Sequence, residues 1–302
     1  MRRDGWVSDE IAAEHGASLV RLFSTSVVKD LAATGRSALA AQILKETRTH
    51  SLLRASASLG DALDSLLLSL FRSYRSEYVY KNAIANRILL GRHSLSTAFM
   101  VTEFRALDCK ADCVVLNGSS HVYEVKSEFD SMARIRRQVG AYGKVFDRIN
   151  VITSDAQVAG VLGEVDESVG VLVLTDRHSI HSVREAQSHR AHVDPSAVFD
   201  SLSLGEYARI IREHFGSVPS VPRSQLYRVC KELFTQLAPE TAHDSMVSAL
   251  RRRGNCHSLR QFVASVPFSL KAASIASRLT QQEQTAFVGL LHCSARHALL
   301  SA

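Results

Sequence analysis

Long hydrophobic runs are missing from this 302-residue chain. The longest apolar stretch, around Leu63 to Phe71, is far short of the ~20 residues that cross a bilayer, so no membrane partner is expected. Met1-Arg-Arg is basic, yet no apolar segment follows it, and no secretory leader is expected either. Cysteines number only five, odd in count and scattered. Reduced thiols in a cytoplasm fit that usage better than a disulfide framework does. No Gly-x4-Gly-Lys-Ser/Thr loop is present, which argues against an attached ATPase motor. No Ser/His or Cys/His arrangement carries a family signature. His178-x2-His181 and His189-x2-His192, with Asp194 nearby, lack the Cys or third-ligand spacing of a zinc site.

What is present is ordinary globular material. Apolar residues are 46% and charged residues 22% of the chain, enough for one large domain or two to three small ones. The net charge of +6 and pI near 9.2 permit a polyanionic partner without demanding one. Residues 1–72 read as short helices, with Gly35 as a turn and an apolar helix from Ala57 to Phe71. They would suit a helix-turn-helix, but no basic recognition helix stands out, so they are read as a helical region flanking a core. Residues 73–193 alternate helix and strand in an α/β order. They begin with a helix from Glu77 to Leu90, stopped by Gly91, and end with strands at Arg148–Thr153 and Gly170–Thr175. From Asp194-Pro195 a linker leads into a helical region, 194–302. Its helices are placed at Leu204 to Phe215, Gln225 to Leu237, Ala242 to Arg252, Ser258 to Ser265 and Leu270 to Leu291. The fold class expected is α/β, a mixed central sheet flanked by helices, with helical regions at both ends.

The chemistry concentrates on Lys110-Ala-Asp-Cys-Val-Val-Leu-Asn-Gly-Ser-Ser-His-Val-Tyr-Glu-Val-Lys126. Asn117-Gly118 is a hairpin-turn dipeptide between two apolar, β-branched runs. Strand period places Glu124 and Lys126 on one face and Val125 on the other. The turn folds Asp112 back towards Glu124. Two carboxylates and an ammonium at strand ends are costly to bury without a partner. Asp112, Glu124 and the Val125 carbonyl offer hard oxygens to Mg²⁺ or Mn²⁺, with positions left for water and a phosphate oxygen. Lys126 would activate that water or offset charge growing on the phosphate. The following helix, about Glu128 to Phe146, holds Gln138 and Tyr142 on one face. Arg134, Arg136, Arg137, Lys144 and Arg148 crowd the same helix and the strand after it. Arg134, Arg137 and Lys144 are candidate phosphate contacts, and a solvated basic face is the other reading. Tyr142 also shares an apolar stripe with Ile135 and Val139, so a core role stays open for it.

The Asp-x11-Glu-x-Lys spacing, followed by Gln-x3-Tyr, resembles the PD-(D/E)xK nucleases, the restriction-endonuclease-like superfamily, in its RecB-like branch. The resemblance covers about the middle third of the chain. It implies a restriction-endonuclease-like core and metal-dependent hydrolysis of DNA, with Asp112, Glu124, Lys126, Gln138 and Tyr142 as catalytic residues. It further implies a glutamate on the first core helix that completes the metal site. Glu77 is the candidate, against a simple i,i+4 pair with Lys81; Glu103 is the rival acid, against a strand-edge pair with Arg105 or Lys110. Some RecB-like relatives carry a four-cysteine iron–sulfur cluster. Cys230, Cys256 and Cys293 do not match that pattern, and no cluster is expected. RNA is a possible substrate, a non-cleaving nucleic-acid- or protein-binding module is the alternative, and the helical regions would serve a protein partner or a second copy.

Overall fold

A computed structural model of the chain describes residues 6–54, 56–93, 95–253 and 257–300; Met1 to Arg3 and Cys256 lie outside them. The chain divides into two compact units. One comprises 1–90, 127–129 and 256–302; the other comprises 91–126 and 130–255.

The second unit carries the sheet. Its six strands are β1 (Phe99–Ala106), β2 (Cys109–Leu116), β3 (Ser120–Lys126), β4 (Arg148–Thr153), β5 (Gly170–Leu174) and β6 (Ile180–Arg184), in spatial order 1-2-3-4-5-6. The β1–β2, β2–β3 and β5–β6 pairs are antiparallel, while β3–β4 and β4–β5 are parallel. The expected mixed sheet with flanking helices is therefore the observed architecture. Parallel strands are covered on both faces, and β5 is buried at every position, which is why Gly170-Val-Leu-Val-Leu reads as a continuous apolar run.

The β2–β3 turn holds three residues rather than two. Leu116 pairs with Ser120, Gly118 adopts φ 103°, and the Asn117 N–H donates to the Ser119 carbonyl. Positive φ is the conformation glycine supplies without steric cost. The strand β6 was not read from the sequence. Its His181, Ser182 and Val183 are exposed, so an edge strand there shows no apolar alternation. The helix after β3 also starts later than expected. A 3-10 turn at Met132–Arg134 precedes the helix Ile135–Gly143, which packs against β2 and β4.

Asp194-Pro195 opens a short helix, Pro195–Asp200, with the Asp194 carboxylate capping the Ser196 N–H. Asp at the cap and Pro at the first helical position explain it. Its Phe199 ring packs on Tyr207, Tyr227 and Phe234. The helix Leu204–Phe215 has the bounds expected, set by a Ser203–Glu206 capping box and by Gly216 at φ 83°.

In the first unit, helices from both ends of the chain share a core. Thr25–Thr34 packs against Lys271–Ser277 and Gln281–Leu291. The Leu59 N–H donates to the Cys293 carbonyl and the Ala295 N–H to the Ala57 carbonyl, each at 2.9 Å. The expected single helix from Leu270 to Leu291 is two. Arg278 takes a left-handed φ of 50°, and Thr280 with Glu283 forms a capping box that starts the second helix. Thr-x-x-Glu is the signature of such a start. The expected Glu77–Leu90 helix becomes an α-helix Glu77–Ala83 running into a π-helical turn, Ile84–Leu89. No helix among the described residues is long and apolar enough to cross a membrane.

Close packing at the sheet gives a direct test. A methyl group on Gly170 would meet the Ala186 backbone nitrogen at 2.9 Å. Gly170→Ala should therefore destabilise the protein by about 1–3 kcal/mol, seen as a lowered urea midpoint.

Candidate active site

Four of the residues picked from the sequence meet in one buried network. Glu124 and Lys126 project from the same face of β3, two residues apart. Gln138 and Tyr142 project from one face of the helix Ile135–Gly143, a turn apart. Lys126 Nζ lies 3.2 Å from Glu124 Oε1 and donates to Gln138 Oε1 at 2.9 Å. Gln138 Nε2 donates to Glu124 Oε1. The Tyr142 hydroxyl lies 2.7 Å from Glu124 Oε2 and 3.0 Å from the Lys110 carbonyl. Both senses of the Gln138 amide are thus used, its oxygen towards the cation and its nitrogen towards the carboxylate. Tyr142 is core and site at once: its ring packs edge-on to Phe146, and its hydroxyl caps the glutamate.

The side chains of Lys126 and Glu124 are only 4% and 3% exposed. Burial raises the Glu124 carboxyl above the usual carboxylate range, against the opposing pull of the Tyr142 hydroxyl and the Lys126 ammonium. Burial, then the Glu124 charge, raises the Tyr142 hydroxyl well above its ordinary value, so the phenol stays a donor at neutral pH.

Asp112 sits within β2. Its Oδ2 accepts the Val125 N–H at 2.8 Å. The N–H and C=O of a strand residue point to the same side, so the Val125 carbonyl also faces β2. Glu103, on β1, has a carboxylate oxygen within 4.8 Å of one on Asp112. It is ion-paired to Lys110 at 2.8 Å, as in the strand-edge reading. Glu103 also holds a left-handed φ of 56° in the middle of a strand, a conformation a non-glycine residue adopts only at a cost. Glu77 belongs to the other unit. It is exposed rather than on an inward face, and it is ion-paired with Lys81 one turn on.

A divalent ion can be tested against these donors. A carboxylate has about four lone-pair positions. Lys126 and Gln138 occupy those of Glu124 Oε1, and Tyr142 occupies one on Oε2. One position on Oε2 remains. That position, Asp112 and the Val125 carbonyl are hard oxygens of the kind that Mg²⁺ or Mn²⁺ takes. Of the basic residues, Arg134 and Lys144 are exposed. Arg137 is paired with Asp108 and Arg136 with Glu164. These are exposed pairs that a phosphate would displace at small cost.

Two features escaped the sequence reading. Asp108, on the β1–β2 turn, completes the surroundings of Arg137, and nothing local marks it. Ser120 Oγ contacts His243 Nε2 at 2.8 Å, and His243 Nδ1 contacts Asp244 at 3.1 Å. This is a Ser–His–Asp series, but Ser120 and His243 are 0% exposed, and the Asp147 N–H donates to the serine oxygen. It ties the start of β3 to the helix Pro239–Arg251 and offers no accessible nucleophile.

A family model described as Bacteriophage P4 protein cII matches residues 71–274. Protein cII of Enterobacteria phage P4 is 29% identical over 147 residues, which cover 48% of this chain and 54% of that protein. The chain thus spans about half the length of that relative. A protein of unknown function from Silicibacter pomeroyi aligns in structure with a TM-score of 0.30 and 18% identity, over 47% of this chain and 93% of that one.

Breaking the buried pair on one side leaves a bare charge. Lys126→Met alone should cost about 3–5 kcal/mol, whereas Glu124→Gln combined with Lys126→Met should unfold near the wild-type urea midpoint. The raised Glu124 carboxyl binds its proton more tightly folded than unfolded. Its contribution to stability is therefore present at low pH and is lost as pH rises through that raised value. Glu124→Gln should remove this component from the pH dependence of the urea midpoint above the ordinary carboxylate range.

Proposed function

The chain belongs to the family described as Bacteriophage P4 protein cII, and we propose that this member is a metal-dependent nuclease acting on DNA, related to the PD-(D/E)xK superfamily. The observation that carries the reading is the convergence of Glu124, Lys126, Gln138 and Tyr142 beside Asp112. Four members of the spacing pattern form a single group of contacts, and Asp112 accepts the N–H of Val125, between Glu124 and Lys126. A strand-edge ion pair alone would not require a glutamine and a tyrosine from the following helix to saturate it.

In this reading Asp112, Glu124 and the Val125 carbonyl hold Mg²⁺ or Mn²⁺. The bound ion would polarise the scissile phosphate and acidify a water. Lys126 orients that water or offsets charge on the phosphate, and Gln138 holds the lysine at the carboxylate. Tyr142 fixes the Glu124 rotamer through Oε2. Arg134, Arg137 and Lys144 supply contacts to the phosphate backbone that are independent of base sequence. The scattered cysteines fit a reducing, cytoplasmic setting.

One observation favours the alternative of a non-cleaving module. Lys126 and Glu124 satisfy each other and are nearly inaccessible, so chemistry requires the lysine to exchange a partner. RNA cleavage would use the same residues and differs only in substrate.

The test is cleavage of plasmid and linear single-stranded DNA, and of RNA, with Mg²⁺, with Mn²⁺ and with EDTA. Wild type should cut with metal only, and Lys126→Ala should lose at least a hundredfold, within the range of a general acid–base or charge-stabilising group. A metal-bound but inert wild type that still shifts DNA in gels would favour the binding module. Equal cutting by both proteins would remove the chemistry from β3.

A further inference from the structure

A cavity lies within the sheet-bearing unit, at the opposite end of β3 from Lys126. Its volume is about 380 Å³, and its lining includes Leu95, Phe99, Gly118, Asp244, Ser248, Arg251 and Arg252. Gly118 is in the turn before β3 and Lys126 ends that strand, so the two lie roughly 20 Å apart at ~3.3 Å per residue. The volume falls within the roughly 300–1,000 Å³ of small-molecule sites.

The lining is divided by chemistry. Arg251, Arg252 and Ser248 supply polar groups to the lining, and Phe99 and Leu95 supply apolar ones. Among the described lining residues Asp244 is the one carboxylate, and it is already engaged by Arg190 and by His243 Nδ1. Arg252 makes only a loose, exposed pair with Glu213 at 3.6 Å. Arg251 is in no ion pair among the described residues. The helix Pro239–Arg251 ends here, and its carbonyls contribute about half a negative charge. Two guanidinium groups outweigh that, and the cavity is net positive. Paired arginines recognise phosphate through forked hydrogen bonds. Inorganic phosphate alone would leave most of the cavity and its aromatic wall unused, whereas a planar base would stack on Phe99.

We infer that this cavity binds a nucleoside 5′-monophosphate, with the phosphate on Arg251 and Arg252 and the base against Phe99. The same chemistry is carried by a free nucleotide and by the 5′-phosphorylated end of a single strand. The site stands apart from the β3 network and does not depend on any nuclease chemistry there.

The experiment is calorimetric titration of the full chain in EDTA, which removes metal-dependent binding at β3. The ligands are adenosine and thymidine 5′-monophosphates, inorganic phosphate, ribose 5-phosphate, and oligonucleotides with and without a 5′-phosphate. Saturable binding of the monophosphates is expected, weakened roughly ten- to a hundredfold by Arg252→Ala. Arg251→Glu should abolish it. Ser248→Trp should also abolish it by filling the space while keeping both arginines, and Lys126→Ala should leave it unchanged. Competition by the 5′-phosphorylated oligonucleotide alone would make the strand end the occupant; lack of competition would make it the free nucleotide. Two results overturn the site: no nucleotide binding by wild type, or binding that persists in Arg251→Glu and Ser248→Trp proteins with unchanged Tm. Ribose 5-phosphate binding as tightly as the nucleotides would overturn the assignment of the base to Phe99.

Discussion

An ammonium and a carboxylate cannot both leave water unless their remaining hydrogen-bonding positions are filled, because the desolvation cost of each ion is several kcal/mol. In this protein the filling is done by Gln138 and Tyr142, and that requirement fixes much else. It sets the rotation of the helix Ile135–Gly143, since only one face presents both side chains to β3. It brings the Tyr142 ring into the core beside Phe146. It also draws the Lys110 carbonyl towards the same hydroxyl, so the entry to β2 is positioned by the glutamate of β3. A core built only of apolar contacts would tolerate small slips of helix against sheet; this one has a polar register mark.

The local parts of that arrangement were legible in the chain. Period two on β3 and a four-residue interval on the helix placed Glu124 with Lys126 and Gln138 with Tyr142, and both pairings are seen. The capping signals at Ser203 and Gly216 gave the bounds of the helix between them. The missed features share a physical cause. An edge strand such as β6 faces solvent and needs no alternation. The partner of Arg137 is Asp108, separated from it by 29 positions, and charge pairing at that distance leaves no pattern. Glu103 has a left-handed backbone imposed by its surroundings, not by its own preference. Glu77 shows a different limit: helical spacing put it on an apolar face, whereas the residue is exposed and pairs with Lys81 one turn on.

Charge is distributed with similar economy. Two of the cations along the Gln138 helix are matched by nearby carboxylates, Asp108 for Arg137 and Glu164 for Arg136. These pairs are exposed and weak, so the face is partly neutralised at rest and available to a polyanion. The buried pair on β3 is the opposite case, strong in its dependence on geometry and closed to salt. The modest overall charge of the chain therefore conceals two regimes, one that responds to ionic strength and one that does not.

The sheet-bearing unit is an insertion: the segments 1–90 and 256–302 that share one core flank nearly all of it. During synthesis the first four helices must emerge without Lys271–Ser277 and Gln281–Leu291, against which Thr25–Thr34 packs. Translation at about 5–20 residues per second makes that wait on the order of ten to fifty seconds, long beside the folding time of an ordinary domain. The inserted unit has all of its strands in hand well before then. The helices of residues 9–73 are thus the segment that waits longest for its packing partners during synthesis.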